Sequence, residues 1–188
     1  MNASPELYRR HRLSVEDYHR MGEAGIFAPD ARVELIDGEI IDMAPIGKRH
    51  MGKVDRLNRL LVQGVGERGI VRVQGSIRLS DFSEPEPDLV LLKPRDDFYE
   101  SVAAETGDVL LLIEVASSSL RYDTSVKLPL YAERGVPEVW IVDVEGRRLR
   151  RHADPHEGRW RFEDSPTELG HIVPRYLDDV SLDLSTLF

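Results

Sequence analysis

Apolar positions along this chain change period several times, and each change predicts an element. Leu13 to Met21 reads as a short helix, because Ser14 precedes Asp17 by three residues, a variant of the reciprocal capping signature. From Arg32 to Met43 two β-rich runs flank Asp37-Gly38. Both turn residues accept positive φ, so a hairpin is expected. Val33 and Leu35 then share one face, and Glu34 and Ile36 the other. From His50 to about Glu67 the period is helical. Val54, Leu57, Leu61 and Val65 form one stripe, with Lys53, Arg56 and Arg59 beside it. Arg68-Gly69 closes that helix.

Strands dominate the second half. Val71 to Leu79 reads as one, and Pro85 and Pro87 punctuate a turn before another at Asp88 to Leu92. The charged stretch Lys93 to Gly107 is expected as a loose loop. Val109 to Ala116 is almost continuously apolar, the pattern of a strand buried on both faces. After the turn Ser117-Ser-Ser119, a helix is expected from about Tyr122 to Arg134, stopped by Gly135 with Pro137 just beyond. Val139 to Val144 is a second buried strand. Arg147 to His152 and Trp160 to Phe162 complete a meander. The order predicts a single α/β domain over residues 1–188, a mixed β-sheet flanked by helices.

Composition narrows the function classes. A chain of 188 residues buries roughly 70% of its unfolded surface and needs no metal or disulfide staple. It has no cysteine. Disulfide scaffolds, thiolate zinc sites and cysteine nucleophiles are therefore excluded, and a reducing, cytoplasmic setting is expected. Met1 to Arg12 shows no apolar signal-peptide core. The longest apolar run, Val109 to Ile113, falls far short of the ~18 residues of a membrane helix. The 25 Lys and Arg against 34 Asp and Glu leave a net charge of −9. An acidic chain is not an obvious partner for a polyanion, so any nucleic-acid contact must rest on local patches or on cations that offset clustered carboxylates.

One residue breaks the apolar pattern. Glu114 lies inside a buried strand, where a carboxylate is costly unless it is paired or binds a metal. Asp88 opens another strand directly after Pro87. Carboxylates at the ends of neighbouring strands can hold a divalent cation beside a scissile phosphate, and a nearby lysine can steady the attacking water or the developing charge.

Pro87-Asp88 and, 26 positions on, Glu114-Val115-Ala116 resemble the PD-(D/E)XK nuclease signature. Longer words agree: Val33-Glu-Leu-Ile-Asp-Gly-Glu39, Ala44-Pro45 with His50, Ile113-Glu-Val-Ala-Ser117, Asp123…Lys127-Leu-Pro-Leu-Tyr131 and Gly135-Val-Pro-Glu-Val-Trp-Ile-Val-Asp143. Together they resemble the Uma-two restriction-endonuclease family, common in bacteria, from about Leu13 to the final Leu-Phe. The resemblance implies a restriction-endonuclease-like core and Mg²⁺-dependent hydrolysis of DNA phosphodiesters, with Mn²⁺ as a substitute. Asp88 and Glu114 would be metal ligands, the carbonyl of Val115 a third, and Glu34 an outer carboxylate. The superfamily's lysine would stand at position 116, where this chain has Ala116; the family pattern nominates Lys127 instead. Lys48, Lys53, Arg56 and Arg59, with Arg49, offer a phosphate-contacting face. A homodimer would suit cleavage of both strands.

Each candidate also has a plainer reading. Lys127 follows Asp123 by four residues, the order of a solvated helical ion pair worth about 0.3–0.5 kcal/mol. Asp88 could be a turn residue and Glu34 an exposed strand residue, while Glu114 could pair with a buried arginine. His50 lies on the inward stripe of its helix, as a site residue or as a satisfied helix-start histidine. Tyr131 and Trp140 read as packing, and the basic helix face as solvated. Gly64-Val-Gly-Glu-Arg-Gly69 matches GxGxxG but follows a helix and precedes a strand, the reverse of a dinucleotide site. His152 and His156 fall around Pro155 and read as a surface loop, and Ser117 to Ser119 lacks nucleophile-elbow glycines. The rival function is a nuclease-fold binding module with weak or no catalysis. Cleavage of RNA or a smaller phosphate ester is a third possibility.

Overall fold

A computed structural model describes residues 10–188; most of the stretch Met1 to Arg12 read above for a signal lies outside them. Six strands form one mixed sheet in the order β3-β4-β5-β6-β7-β8. They are β3 (Ile70–Val73), β4 (Leu89–Leu92), β5 (Val109–Ala116), β6 (Glu138–Asp143), β7 (Arg148–His156) and β8 (Arg159–Asp164). The β5–β6 pair alone is parallel, and its crossover is helical. The expected hairpin forms as β1 (Val33–Ile36) and β2 (Glu39–Asp42), a separate two-stranded sheet turning on Asp37 and Gly38, both at positive φ. This α/β arrangement, a mixed sheet with flanking helices, is the one expected from the order of elements.

Helix α1 (Val15–Glu23) starts as its sequence implies. The Ser14 hydroxyl accepts from the Asp17 N–H at 3.0 Å, and Asp17 accepts from the Ser14 N–H at 3.1 Å. Helix α2 (Lys48–Val65) lays Val54, Leu57, Leu61 and Val65 on one face of the large sheet, against Leu89, Leu91, Leu111, Ile113, Val115, Trp140 and Val142. Ile172, Val180, Leu182, Leu184 and Leu187 of the C-terminal segment close the same core. The GxGxxG glycines belong to this packing. A Cβ on Gly64 would lie 2.6 Å from Leu182, and Gly66 ends α2 at φ +57.

Four expectations need correction. The strand Val71 to Leu79 stops at Val73, because Gln74 turns to positive φ; Ile77 and Leu79 still reach the core as an irregular segment. Lys93 to Gly107 is not loose: Tyr99 and Ala104 are buried, and the Tyr99 hydroxyl donates to the Lys93 carbonyl at 3.0 Å. His152 and His156 lie in β7, not in a loop. Strand β6 stops opposite Ala153, so beyond it β7 has a free edge that tolerates Pro155.

The fourth correction concerns the helix after the serine turn. It begins at Leu120 as α3 (Leu120–Tyr122), widens into a π-helical turn over Asp123–Lys127, and resumes as α4 (Leu128–Glu133). The Leu128 N–H donates to the Asp123 carbonyl, five residues back. Pro129 gives the physical reason: it has no N–H to donate, and its ring would crowd the carbonyl four residues earlier in a regular helix. Such wide turns tend to occur where function needs a displaced side chain. Here the displaced stretch ends at Lys127.

Candidate active site

The register Leu89↔Ile113 across β4 and β5, continued by one residue, sets Asp88 opposite Glu114 on one face of the sheet. Side chains so opposed stand about 5 Å apart at Cβ. By alternation this face also carries Val90, Leu92, Leu112 and Ala116, and it packs on Leu128, Leu130 and Tyr131. It is the face covered by the π turn and α4, so Lys127 descends onto Glu114.

Lys127 is fully withdrawn from solvent, with 3% exposure. Its Nζ lies 2.8 Å from Glu114 Oε1 and 3.2 Å from Glu34 Oε2. Glu34, 2% exposed, comes from β1, so the small hairpin closes the site from outside the main sheet. The surface ion pair with Asp123 is not what forms: Asp123 is itself buried and accepts from the Ser119 hydroxyl at 2.6 Å. Nor is Glu34 the exposed strand residue of the plainer reading, and Glu114's partner is a lysine rather than an arginine.

Two tyrosines complete the network. The Tyr131 hydroxyl donates to Glu114 Oε1 at 2.5 Å, and the Tyr122 hydroxyl to Glu34 Oε1 at 3.1 Å. The Glu86 N–H holds Glu34 Oε2 at 3.1 Å. Burial pushes the Glu114 carboxyl up to about 8; Lys127 opposes the shift while Asp123 and Asp88 add to it. Burial also works against the charge on Lys127, but Glu114 and Glu34 outweigh it and hold the ammonium protonated. Tyr131 had read as packing. Its burial is complete, yet its hydroxyl is spent on the site, and only its spacing of four from Lys127 hinted at this. Tyr122 carried no such signal.

Asp88 is held on both oxygens. His50 Nε2 lies 2.8 Å from Oδ1, and the Val115 N–H donates to Oδ2 at 2.8 Å. A strand residue points its N–H and C=O the same way, so the Val115 carbonyl also faces Asp88, clear of the β6 ladder. The hydrogen bond to Asp88 raises the His50 imidazole's proton affinity; burial opposes it, and the Asp88 charge and the Val115 carbonyl add to it.

Asp88, Glu114, Glu34, Lys127 and His50 line one cleft of about 390 Å³, with Arg32, Glu86, Asp123 and Tyr122 on its walls. Among the described residues no three His, Asp or Glu side chains already enclose a common point as a cation cage. The donor set nevertheless suits a hard divalent cation: two neighbouring carboxylates, one raising the other's proton affinity, and a carbonyl free of its ladder.

The basic face divides. Lys48, Arg49, Lys53 and Arg56 line a second cavity of about 320 Å³ together with Arg147, Glu145 and Phe188. Arg59 is exposed but is not among its lining residues. Lys53 and Arg56 donate to the Leu187 and Thr186 carbonyls, and Arg49 pairs with Glu145 at 2.9 Å. Part of this positive charge therefore anchors the C-terminal segment. Gly47 lines the first cleft and Lys48 the second, so the start of α2 separates the two.

Comparison with known proteins agrees with this architecture. Residues 15–185 match the model of the family Uma2, described as "Putative restriction endonuclease". The chain is also similar to a solved structure described as "a putative nuclease belonging to DUF820 from Anabaena variabilis ATCC 29413". The superposition has a TM-score of 0.72 and 15% identity, covering 94% of this chain and 97% of that one. At that identity the likeness is one of fold. No curated protein matches the chain. Among the described residues no helix is long and apolar enough to cross a membrane.

Proposed function

Because the chain belongs to the Uma2 family, we propose that it is a metal-dependent endonuclease hydrolysing DNA phosphodiester bonds in the cleft of Asp88 and Glu114. The observation that carries this reading is the buried contact of Lys127 with Glu114 at 2.8 Å. A lysine from a different element meets the strand carboxylate that the missing lysine at position 116 would have accompanied.

Asp88, Glu114 and the Val115 carbonyl would hold Mg²⁺ or Mn²⁺, which supplies Lewis-acid stabilisation of charge at the phosphate. Lys127 fixes the rotamers of Glu114 and Glu34 and keeps a positive charge where negative charge develops. Glu34, held by Tyr122 and the Glu86 N–H, is positioned to orient water at the cleft wall. Lys48, Arg49, Lys53, Arg56 and Arg147 would contact phosphates flanking the scissile one, an arrangement that gives affinity without sequence readout. The net charge of −9 keeps that contact local and makes it sensitive to salt.

Nicking of supercoiled plasmid with Mg²⁺ and with Mn²⁺ tests the reading, with Asp88→Ala and Lys127→Ala beside the wild type. Cutting by wild type alone is expected, with losses of about 10²-fold or more in both variants. Equal cutting by all three would place the activity elsewhere. Absence of cutting with cation binding retained would point to another phosphate ester. Loss of both would favour a non-cleaving binding module.

A further inference from the structure

The loop between β2 and α2 carries apolar side chains that the fold does not use. Ile41, just before it, packs against the α4-side core. Met43, Ala44 and Ile46 belong to neither apolar core. Together with Pro45 they line the cleft of Asp88 and Glu114 instead. Ala44 and Pro45 are exposed, while Met43 and Ile46 are half-buried. The loop is preset at one end, where the Met43 N–H donates to the Arg32 carbonyl at 2.9 Å, and Pro45 stiffens its middle. Tyr122 lines the same cleft, and its hydroxyl is held on Glu34 at 3.1 Å. An apolar wall gains nothing from a phosphate or a sugar hydroxyl. It suits the flat face of a base taken out of its stack.

The charges point the same way. The cleft lining holds six carboxylates, Glu34, Asp42, Glu86, Asp88, Glu114 and Asp123. Its two cations besides His50 are already paired, Arg32 with Glu86 at 2.9 Å and Lys127 with two glutamates. Across the start of α2, five Lys and Arg side chains of the second cavity stand against Glu145 alone. One phosphate backbone can follow those cations toward the cleft. A duplex carries two backbones, a groove-width of about 6–12 Å apart, and among the residues lining the two cavities no unpaired cation of the cleft is left for the second. The cleft, about 390 Å³, has the size of a small-ligand pocket, about 300–1,000 Å³. Glu114 at its floor is 3% exposed, so a nucleotide must enter it, and pairing and stacking resist that entry.

We propose that the cleft takes an unpaired DNA strand, the base beside the scissile phosphate lying against Met43, Pro45, Ile46 and the Tyr122 ring. The inference rests on the nuclease reading above and narrows its substrate to single-stranded or locally unpaired DNA. The cations of the second cavity hold the backbone on one side of the α2 start, and the apolar loop selects the unpaired state on the other.

The test is binding by the full chain, in Ca²⁺ and again in EDTA, of a short fluorescent oligonucleotide as single strand, as duplex, and as a single strand of abasic nucleotides. The single strand is expected to bind about 10-fold tighter than the duplex, the lower end of what stacking one base contributes. The abasic strand, which keeps every phosphate, should lose most of that advantage. Ile46→Asn should bring single-strand affinity down toward the duplex value and leave duplex affinity unchanged. Duplex bound as tightly as single strand, or the abasic strand bound as tightly as the intact one, would overturn the inference and leave the nuclease reading to the plasmid assay. Binding of no form in either buffer would overturn the inference and the DNA reading together. Single-strand preference with no plasmid cutting would uphold the inference for a binding module and remove the nuclease reading. The abasic comparison uses the wild type, so it decides the matter even if Ile46→Asn folds poorly.

Discussion

The two faces of the central sheet are built from the same strands by opposite means. On the α2 face, Leu89, Leu91, Leu111, Ile113 and Val115 meet Val54, Leu57, Leu61 and Val65, and the contact is wholly apolar. On the α4 face, alternate positions of β4 and β5 begin as apolar but carry Asp88 and Glu114 at the strand ends. There a lysine, two tyrosines and Glu34 of the hairpin are needed to satisfy what the strands bury. One face gains stability from area removed from water. The other accepts desolvated charge, which well-packed apolar side chains would often match or better in stability alone. That contrast is what the nuclease reading proposed above asks of the α4 face.

Lys127→Met would disturb the comparison most. It leaves Glu34 and Glu114 buried without their cation, and a loss of about 3–5 kcal/mol is expected from denaturant unfolding. The loss should be larger at pH 9 than at pH 5. Burial already raises the proton affinity of Glu114; without the lysine that opposes the shift, the folded state would hold that proton more tightly than the unfolded one, so stability falls as pH rises. A penalty that ignored pH would mean Lys127 acts through packing. On the opposite face, Leu57→Ala should cost about 3 kcal/mol by cavity formation, with the same penalty at both pH values. It should leave Mn²⁺ affinity unchanged, and a parallel fall in metal binding would show the faces to be coupled.

The smallest effect lies in a region belonging to neither the apolar face nor the site. Both ring nitrogens of His152 and the Trp160 indole N–H are buried without partners, with the rings 6.0 Å apart. Burial lowers the His152 proton affinity, and Glu163, 3.9 Å away, only partly opposes it. The neutral ring therefore contributes stability above the ordinary value of 6.5 that is lost as pH falls. His152→Leu should raise stability by about 1 kcal/mol and flatten the acid side of the stability profile. Thermal melts from pH 5 to pH 8 would check it, and an unchanged profile would sink the assignment.

Much of this was legible in the chain itself. Ser14 with Asp17, Asp37-Gly38 and the stripe from Val54 to Val65 each state a local preference that the fold keeps, because capping, turn geometry and helical period act over a few residues. Glu114 announced itself by its cost, a buried charge among apolar neighbours. What stayed hidden depended on distance along the chain. The loop Lys93 to Gly107 looked free because nothing local shows that Tyr99 and Ala104 will find the core. Asp123 and Lys127 sit at the spacing of a helical surface pair, but Pro129 widens the turn between them and the lysine goes inward. Tyr131 looks like core by composition and becomes a hydrogen-bond donor only because β5 runs beneath it. By itself the sequence determined the elements and the oddity of one carboxylate. Which side chains answer that carboxylate was decided by tertiary structure, since a buried charge is satisfied by whatever packing brings within about 3 Å, here Lys127 of the π turn and Tyr131 of α4.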